Sequence, residues 1–240
     1  MKSASLALTL LCLALPSKVA AASDSDFTQL QGMFSQGNYQ SVIKLADSRV
    51  KKNPRDINAY YFLGLSYYKL ENYDQAIQSL LEFDKLHDQI EAQKKQQEAR
   101  GSETDFLWID AWYFPAYYLL GEHYFGKSNF SKAEKHLRRA KAGYSQDRTL
   151  FFYLGVSSLE LKKYEAAHKS FRKMIELDPK EPSPLYNIAC VYAMEGNAKE
   201  AISWLAQAIK MKPDYKREAA SDRNFDSIRN NKEFKKLIAQ

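Results

Sequence analysis

The chain has 240 residues, of which 45% are hydrophobic and 27% charged, and it carries a formal net charge of +6 and two cysteines. Lys2 and Lys18 fall in an N-terminal segment read below as removable, and without them the charge is +4. A mild, dispersed positive charge argues against a nucleic-acid ligand.

Residues 1–22 read as a secretory signal peptide. Lys2 supplies the charge, "LALTLLCLAL" the apolar core, and "VAAA" the small-residue cleavage site after Ala20 or Ala22. The apolar run stops at Pro16, short of the roughly 20 residues needed to span a bilayer. Leu11 stands where a lipidation signal before Cys12 would need a small residue. No later segment is apolar enough to cross a membrane, so the expectation is an exported chain, periplasmic first and secreted second. Cys190 is then the only cysteine left, which rules out an intramolecular disulfide and suits a buried thiol.

From residue 23 onward the chain repeats itself. Leu154-Gly155 follows Leu120-Gly121 by 34 residues, and Ile188-Ala189 follows after another 34. Leu63-Gly64 precedes Leu120-Gly121 by 57, which is one such step plus an insertion of 23. In chain order, a degenerate copy turns at Gly37-Asn38-Tyr39 and closes at Pro54. The next reads Tyr60, Leu63, Gly64, Tyr67, Ala76 and Leu80. After the insertion come Tyr117, Leu120, Gly121, Tyr124, Ala133 and Leu137. Then follow Phe151, Leu154, Gly155, Ser158, Ala167, Phe171 and Pro179, and finally Leu185, Ile188, Ala189, Tyr192, Ala201, Leu205 and Pro213.

Tyr60, Leu63, Gly64 and Tyr67 obey the i, i+3, i+4, i+7 rule and form one stripe of a helix. Glycine inside a helix costs about 1 kcal/mol relative to alanine, so its recurrence points to close approach of a partner helix. The stretches "LENYDQA", "GKSNFSKA", "LKKYEAA" and "EGNAKEA" are short turns between paired helices, and Pro54, Pro179 and Pro213 end second helices. A fixed step of this length predicts a solenoid of helical hairpins.

These segments resemble the tetratricopeptide repeat family over residues 23–90 and 114–215. The resemblance implies an all-α, right-handed solenoid of antiparallel hairpins with a C-terminal capping helix. Repeats are expected at about 23–56, 57–90, 114–147, 148–181 and 182–215, with an insertion at 91–113 and a cap at 216–240. Within the insertion, "EAQKKQQEAR" extends the helix that begins near Asp74 as an exposed arm, and Gly101-Ser102 breaks it. The run Phe106, Leu107, Trp108, Ile109, Trp112, Tyr113 and Phe114 then fills the gap in the stack or meets a partner. In the tail, Phe225, Ile228, Phe234, Leu237 and Ile238 among charges fit a cap.

No catalytic constellation is visible. His87, His123, His136 and His168 sit on different repeats without metal-ligand spacing, and there is no phosphate-cradling loop or nucleophile elbow. The expectation is no enzyme, no cofactor and no metal. Lys132, Lys135, Arg138 and Arg139 form the densest basic cluster and read as a solvated convex face.

The family resemblance implies instead a concave face lined by the first helices. Its places fall on Tyr61, Leu65 and Tyr68; on Tyr118, Glu122 and Phe125; on Phe152, Val156 and Leu159; and on Tyr186 and Cys190. The degenerate copy adds Phe27, Gln31 and Phe34. Tyr61, Tyr118, Phe152 and Tyr186 are expected to stand in the groove, whereas Phe34, Tyr68 and Phe125 are balanced between groove and packing. Aromatics occupy the places where carboxylate-clamping members of the family carry Lys and Asn. The partner expected is a protein or peptide of the cell envelope, held by apolar anchors. Two alternatives stay open: an accessory of polysaccharide or cell-wall export whose tyrosines stack on sugars, and a self-assembling subunit joined through the insertion.

Overall fold

Twelve α-helices and one 3-10 helix follow one another without a strand among the described residues, which are 25–98 and 113–239 of a computed structural model. The signal-peptide reading of residues 1–22 and the aromatic run from Phe106 to Trp112 lie outside them. The helices are α1 (Ser25–Ser35), α2 (Tyr39–Lys52), α3 (Ile57–Lys69), α4 (Tyr73–Glu98), α5 (Phe114–Gly126), α6 (Phe130–Ala140), α7 (Arg148–Glu160), α8 (Tyr164–Leu177), α9 (Ser183–Met194), α10 (Ala198–Met211), α11 (Tyr215–Ser221) and α12 (Lys232–Ala239). The 3-10 helix η1 (Arg223–Ile228) joins the last two. Among the described residues no helix is long and apolar enough to cross a membrane.

Two compact units divide the chain. Among the described residues, the first holds those up to His123 together with Arg139–Ser145, and the second holds Tyr124–Arg138 with those from Gln146 on. In the first, α3 packs on α4 and on α2; in the second, α7 packs on α8, and α9 on α10 and α8.

The turns inside the hairpins follow one backbone rule. A residue with positive φ recurs at Gly37, Glu71, Ser128, Lys162 and Gly196, with φ of 77°, 61°, 56°, 57° and 79°. The next amide each time reaches back five residues: Asn38 to Met33, Asn72 to Tyr67, Asn129 to Tyr124, Lys163 to Ser158 and Asn197 to Tyr192, at 2.8–3.0 Å. That is the Schellman closure, which satisfies carbonyls left over at a helix end. Between hairpins, Asn53, Asp178 and Lys212 are extended, with φ between −133° and −150°. Each precedes a proline, whose ring disfavours the helical conformation in its neighbour. Asp56 and Asp147 then start α3 and α7 by accepting from Ala59 N at 2.9 Å and Leu150 N at 3.0 Å.

The glycines of the repeat do what their recurrence implies. A Cβ on Gly64 would lie 2.5 Å from Leu80 Cδ2, and one on Gly155 would lie 2.5 Å from Phe171 Cε1. Leu80 and Phe171 are themselves fully buried, as are Ala76 and Ala167 beside them. In the last hairpin Ala189, Ala201 and Leu205 hold the same places and are also fully buried.

One expectation holds over the described residues and one changes. The helix beginning near Asp74 does run on, as the 26-residue α4, and Ala92, Gln93, Lys95 and Gln96 in its last turns are exposed, whereas the turns before the insertion are anchored. Leu86 and His87 are buried, and Arg139 reaches across to Asp84, Asp88 and Glu91 on successive turns of α4. Arg139 therefore leaves the basic cluster, while Lys132, Lys135 and Arg138 remain exposed. The C-terminal cap is a chain of three short helical pieces whose Phe225, Ile228 and Phe234 are buried.

Candidate functional site

Burial sorts the inner-face positions. In the first unit Tyr61 is 5% exposed, and its ring meets Tyr113 at 5.0 Å and Phe83 at 5.8 Å between centroids. Tyr118 is 1% exposed against Tyr144 at 4.8 Å, and Leu65 is also buried. The expectation that Tyr61 and Tyr118 stand open in a groove is thus corrected. Tyr113, at the end of the insertion, and Tyr144, in the turn after α6, cover them. Phe34 packs on Tyr39 and Phe62, whereas Phe27 and Gln31 stay half-buried.

Besides Phe27 and Gln31, the first unit leaves Tyr68 and Glu122 accessible, both half-buried. Tyr68 meets the exposed Tyr73 edge-on at 5.6 Å. Burial, then the negative charge of Glu122 and the neighbouring Tyr73, push the Tyr68 hydroxyl up to about 12. It stays a protonated donor over the whole physiological range.

In the second unit Phe125 and Phe152 are half-buried and belong to one aromatic group. Phe125 lies 4.6 Å from Tyr153, 5.8 Å from Phe130 and 6.2 Å from Phe152. All four rings keep part of their surface in solvent, as does Val156 one turn beyond Phe152. Leu159 is buried. Tyr153 and Phe130 were not marked by the repeat pattern. The available signal was their adjacency: Tyr153 follows Phe152, and Phe130 opens the helix after Phe125.

Tyr186, expected in the groove, is 8% exposed. Its hydroxyl donates to Asp222 Oδ2 at 2.8 Å, and its ring stacks on Tyr215 at 4.6 Å with Phe225 edge-on at 5.6 Å. Burial, the neighbouring Cys190 and the Asp222 carboxylate all push that hydroxyl's pKa up. The C-terminal cap is what covers it.

The other polar clusters are structural. His87 Nδ1 lies 3.0 Å from the Tyr117 hydroxyl, and Asp88 and Glu91 stand close enough to share an ion with it. Arg139 already supplies the positive charge there, pairing with Asp88 at 3.3 Å and lying 5.2 Å from the Tyr117 ring centroid. In the second unit Glu134 is 5% exposed and is paired with Lys163 and Arg138. Burial alone would push its carboxyl up, but the hydrogen bonds and charges of Lys163 and Arg138 outweigh that and hold it below the ordinary value.

Stacked helical hairpins closed by one turn type, with half-exposed rings on the first helices, define a helical-repeat scaffold. Sequence profiles agree: tetratricopeptide-repeat profiles match residues 118–182 and 158–221. A profile described as anaphase-promoting complex, cyclosome, subunit 3 matches residues 3–83. No curated protein matches the sequence. Among solved structures, YrrB, described as a TPR protein with an unusual peptide-binding site, superimposes with a TM-score of 0.52 at 20% identity, over 78% of this chain and 85% of its own. MamA AMB-1 does so with a TM-score of 0.52 at 19% identity, over 78% of this chain and 96% of its own. At such identities the likeness is one of fold. The chain is a tetratricopeptide-repeat protein.

Proposed function

We propose that this protein is a scaffold of the cell envelope that captures a peptide segment of a partner protein on the aromatic group of its second unit. The observation that carries the reading is the contiguous set Phe125, Phe130, Phe152 and Tyr153, neighbouring rings that each keep part of their surface in solvent. Rigid rings give a partner's apolar side chains contact area at low entropic cost, and a cluster left in water marks a site of use. The shared fold of YrrB, whose description names a peptide-binding site, supports a peptide as the kind of ligand. The envelope location rests on the signal-like residues 1–22. Glu122 and Tyr68 offer the first unit a separate polar contact.

Peptides selected from a random display library on the intact protein test this. Phe125→Ala with Phe152→Ala should weaken their binding about tenfold or more, since truncating an aromatic anchor costs about 1–2 kcal/mol or more. The thermal unfolding curve should move little. Undiminished binding by the double variant rules out the aromatic group as the site. N-terminal sequencing of the protein made in a bacterial host tests export, with cleavage after Ala20 or Ala22 expected.

A further inference from the structure

Tyr186 and Cys190 stand 34 residues after Phe152 and Val156, at the same two places of the next hairpin. Phe152 and Val156 are half-exposed; Tyr186 and Cys190 are not. The difference is a single segment. After Pro213, α11 starts where another first helix would begin but stops after seven residues, where a regular one runs for 12 or 13. Asp222 leaves the helical conformation at ψ 125° and sets its carboxylate over the α9 face. One oxygen accepts from Tyr186 at 2.8 Å and lies 3.8 Å from Cys190 Sγ. The other accepts from Asn224 N at 2.9 Å and so starts η1. Phe225, three residues on, reaches the Tyr186 ring, and the Ser227 hydroxyl donates to the Ala193 carbonyl at 2.5 Å. Arg229 ties the turn to itself through the carbonyls of Ala220 and Asp222 and the Asp226 carboxylate.

This segment behaves chemically as a ligand does: an acidic residue for the tyrosine hydroxyl, and an aromatic ring three residues later for its face. We propose that the last hairpin's inner face is a binding site for an acidic-aromatic turn, filled in cis by residues 215–239, and that release of this segment uncovers it. The inference is independent of the aromatic group on α5–α7. It makes the cap an autoinhibitory occupant, and it ends the accessible inner surface one hairpin early.

Cys190 is the built-in reporter. In the full chain carrying Cys12→Ser it is the only thiol, 1% exposed beneath the cap. Burial and the Asp222 carboxylate also push its pKa well up, which keeps it unreactive while the segment is seated. Phe225→Ala in that background should speed modification of Cys190 by a maleimide about tenfold or more under native conditions, with the urea midpoint of the remaining helices nearly unchanged. A synthetic peptide of residues 215–239 with the native sequence, added in trans, should slow the modification again. Arg229→Ala touches neither Tyr186 nor Cys190 and loosens only the turn. It should show a smaller acceleration, also reversed by the peptide, and it decides the matter if Phe225→Ala fails to fold. Modification that accelerates only in step with global unfolding, or that the peptide cannot slow, overturns the proposal.

Discussion

The two units build the same repeat, but the first covers Tyr61 and Tyr118, while the second leaves Phe125 and Phe152 partly open and covers only Tyr186 of its last hairpin. In the first, the covering rings are Tyr113 and Tyr144, and Tyr68 and Glu122 stay half-buried. In the second, Phe125, Phe152 and Tyr153 lean on one another and keep part of their surface in water. A repeat position determines which side of a helix a residue occupies. Whether that side is open depends on what the rest of the chain lays over it.

The sharpest way to break this contrast is to truncate one ring from each unit. Tyr118→Ala should cost about 3–5 kcal/mol in urea denaturation, as expected for an aromatic removed from a core. Phe152→Ala should cost well under half of that and should act on binding instead. Equal losses would mean that the two units do not differ as described.

The next comparison is between the two glycine notches. Gly155→Ala should destabilise by about 1–3 kcal/mol, because overpacking against a rigid ring exceeds the helix-propensity gain of about 1 kcal/mol. Gly64→Ala should cost at least as much, since the added Cβ meets Leu80 at Cγ as well as Cδ2, both at 2.5 Å, with the Ala76 carbonyl 3.3 Å away. The urea midpoints of the two variants check the order.

Glu134 gives a pH test confined to the second unit. Its carboxyl is held below the ordinary glutamate value, so its contribution is complete above the unfolded-state value and disappears as pH falls through the lower folded-state value. Glu134→Gln should lose about 1–2 kcal/mol near neutral pH, because Lys163 and Arg138 are more than half exposed and return to water. Between about pH 5 and pH 3 the variant's stability should then fall less steeply than that of the parent. Parallel pH profiles of the two proteins would assign the ion pairs no net role.

The smallest effect expected is a gain. Lys162 holds a positive φ at the turn where Gly196 stands one hairpin later. Lys162→Gly should stabilise by up to about 1 kcal/mol by relieving the Cβ strain, and Gly196→Ala should cost a similar amount. Thermal unfolding of both reads the sign.

Most of the architecture was legible because it is written locally. The 34-residue step, the glycine opposite Leu80 or Phe171, and the prolines after Asn53, Asp178 and Lys212 each constrain backbone or packing within one hairpin. All five turns were legible, but their positive φ was so only at Gly37 and Gly196; at Glu71, Ser128 and Lys162 the strain is imposed by the closure and not requested by the residue. The openness of the inner face was not legible. Tyr61 is covered from 52 residues away by Tyr113, and Tyr186 from 36 residues away by Asp222. One covering residue comes from the insertion and the other from the tail, both outside the repeating pattern. Phe125 and Phe152 were found because both are inner-face positions of the repeat, and Tyr153 and Phe130 were missed because they are not.

The extended residues before the prolines have a consequence for how such a chain can change in length. Asp178 and Lys212 share nearly the same backbone state, with φ and ψ of −150° and 94° against −137° and 97°. Excising everything between them would join two ends already oriented alike, with no helix rotated about its axis. Growth or loss by whole modules is therefore conformationally silent at the splice, and a protein of this kind can be tailored by counting units instead of by redesigning joints.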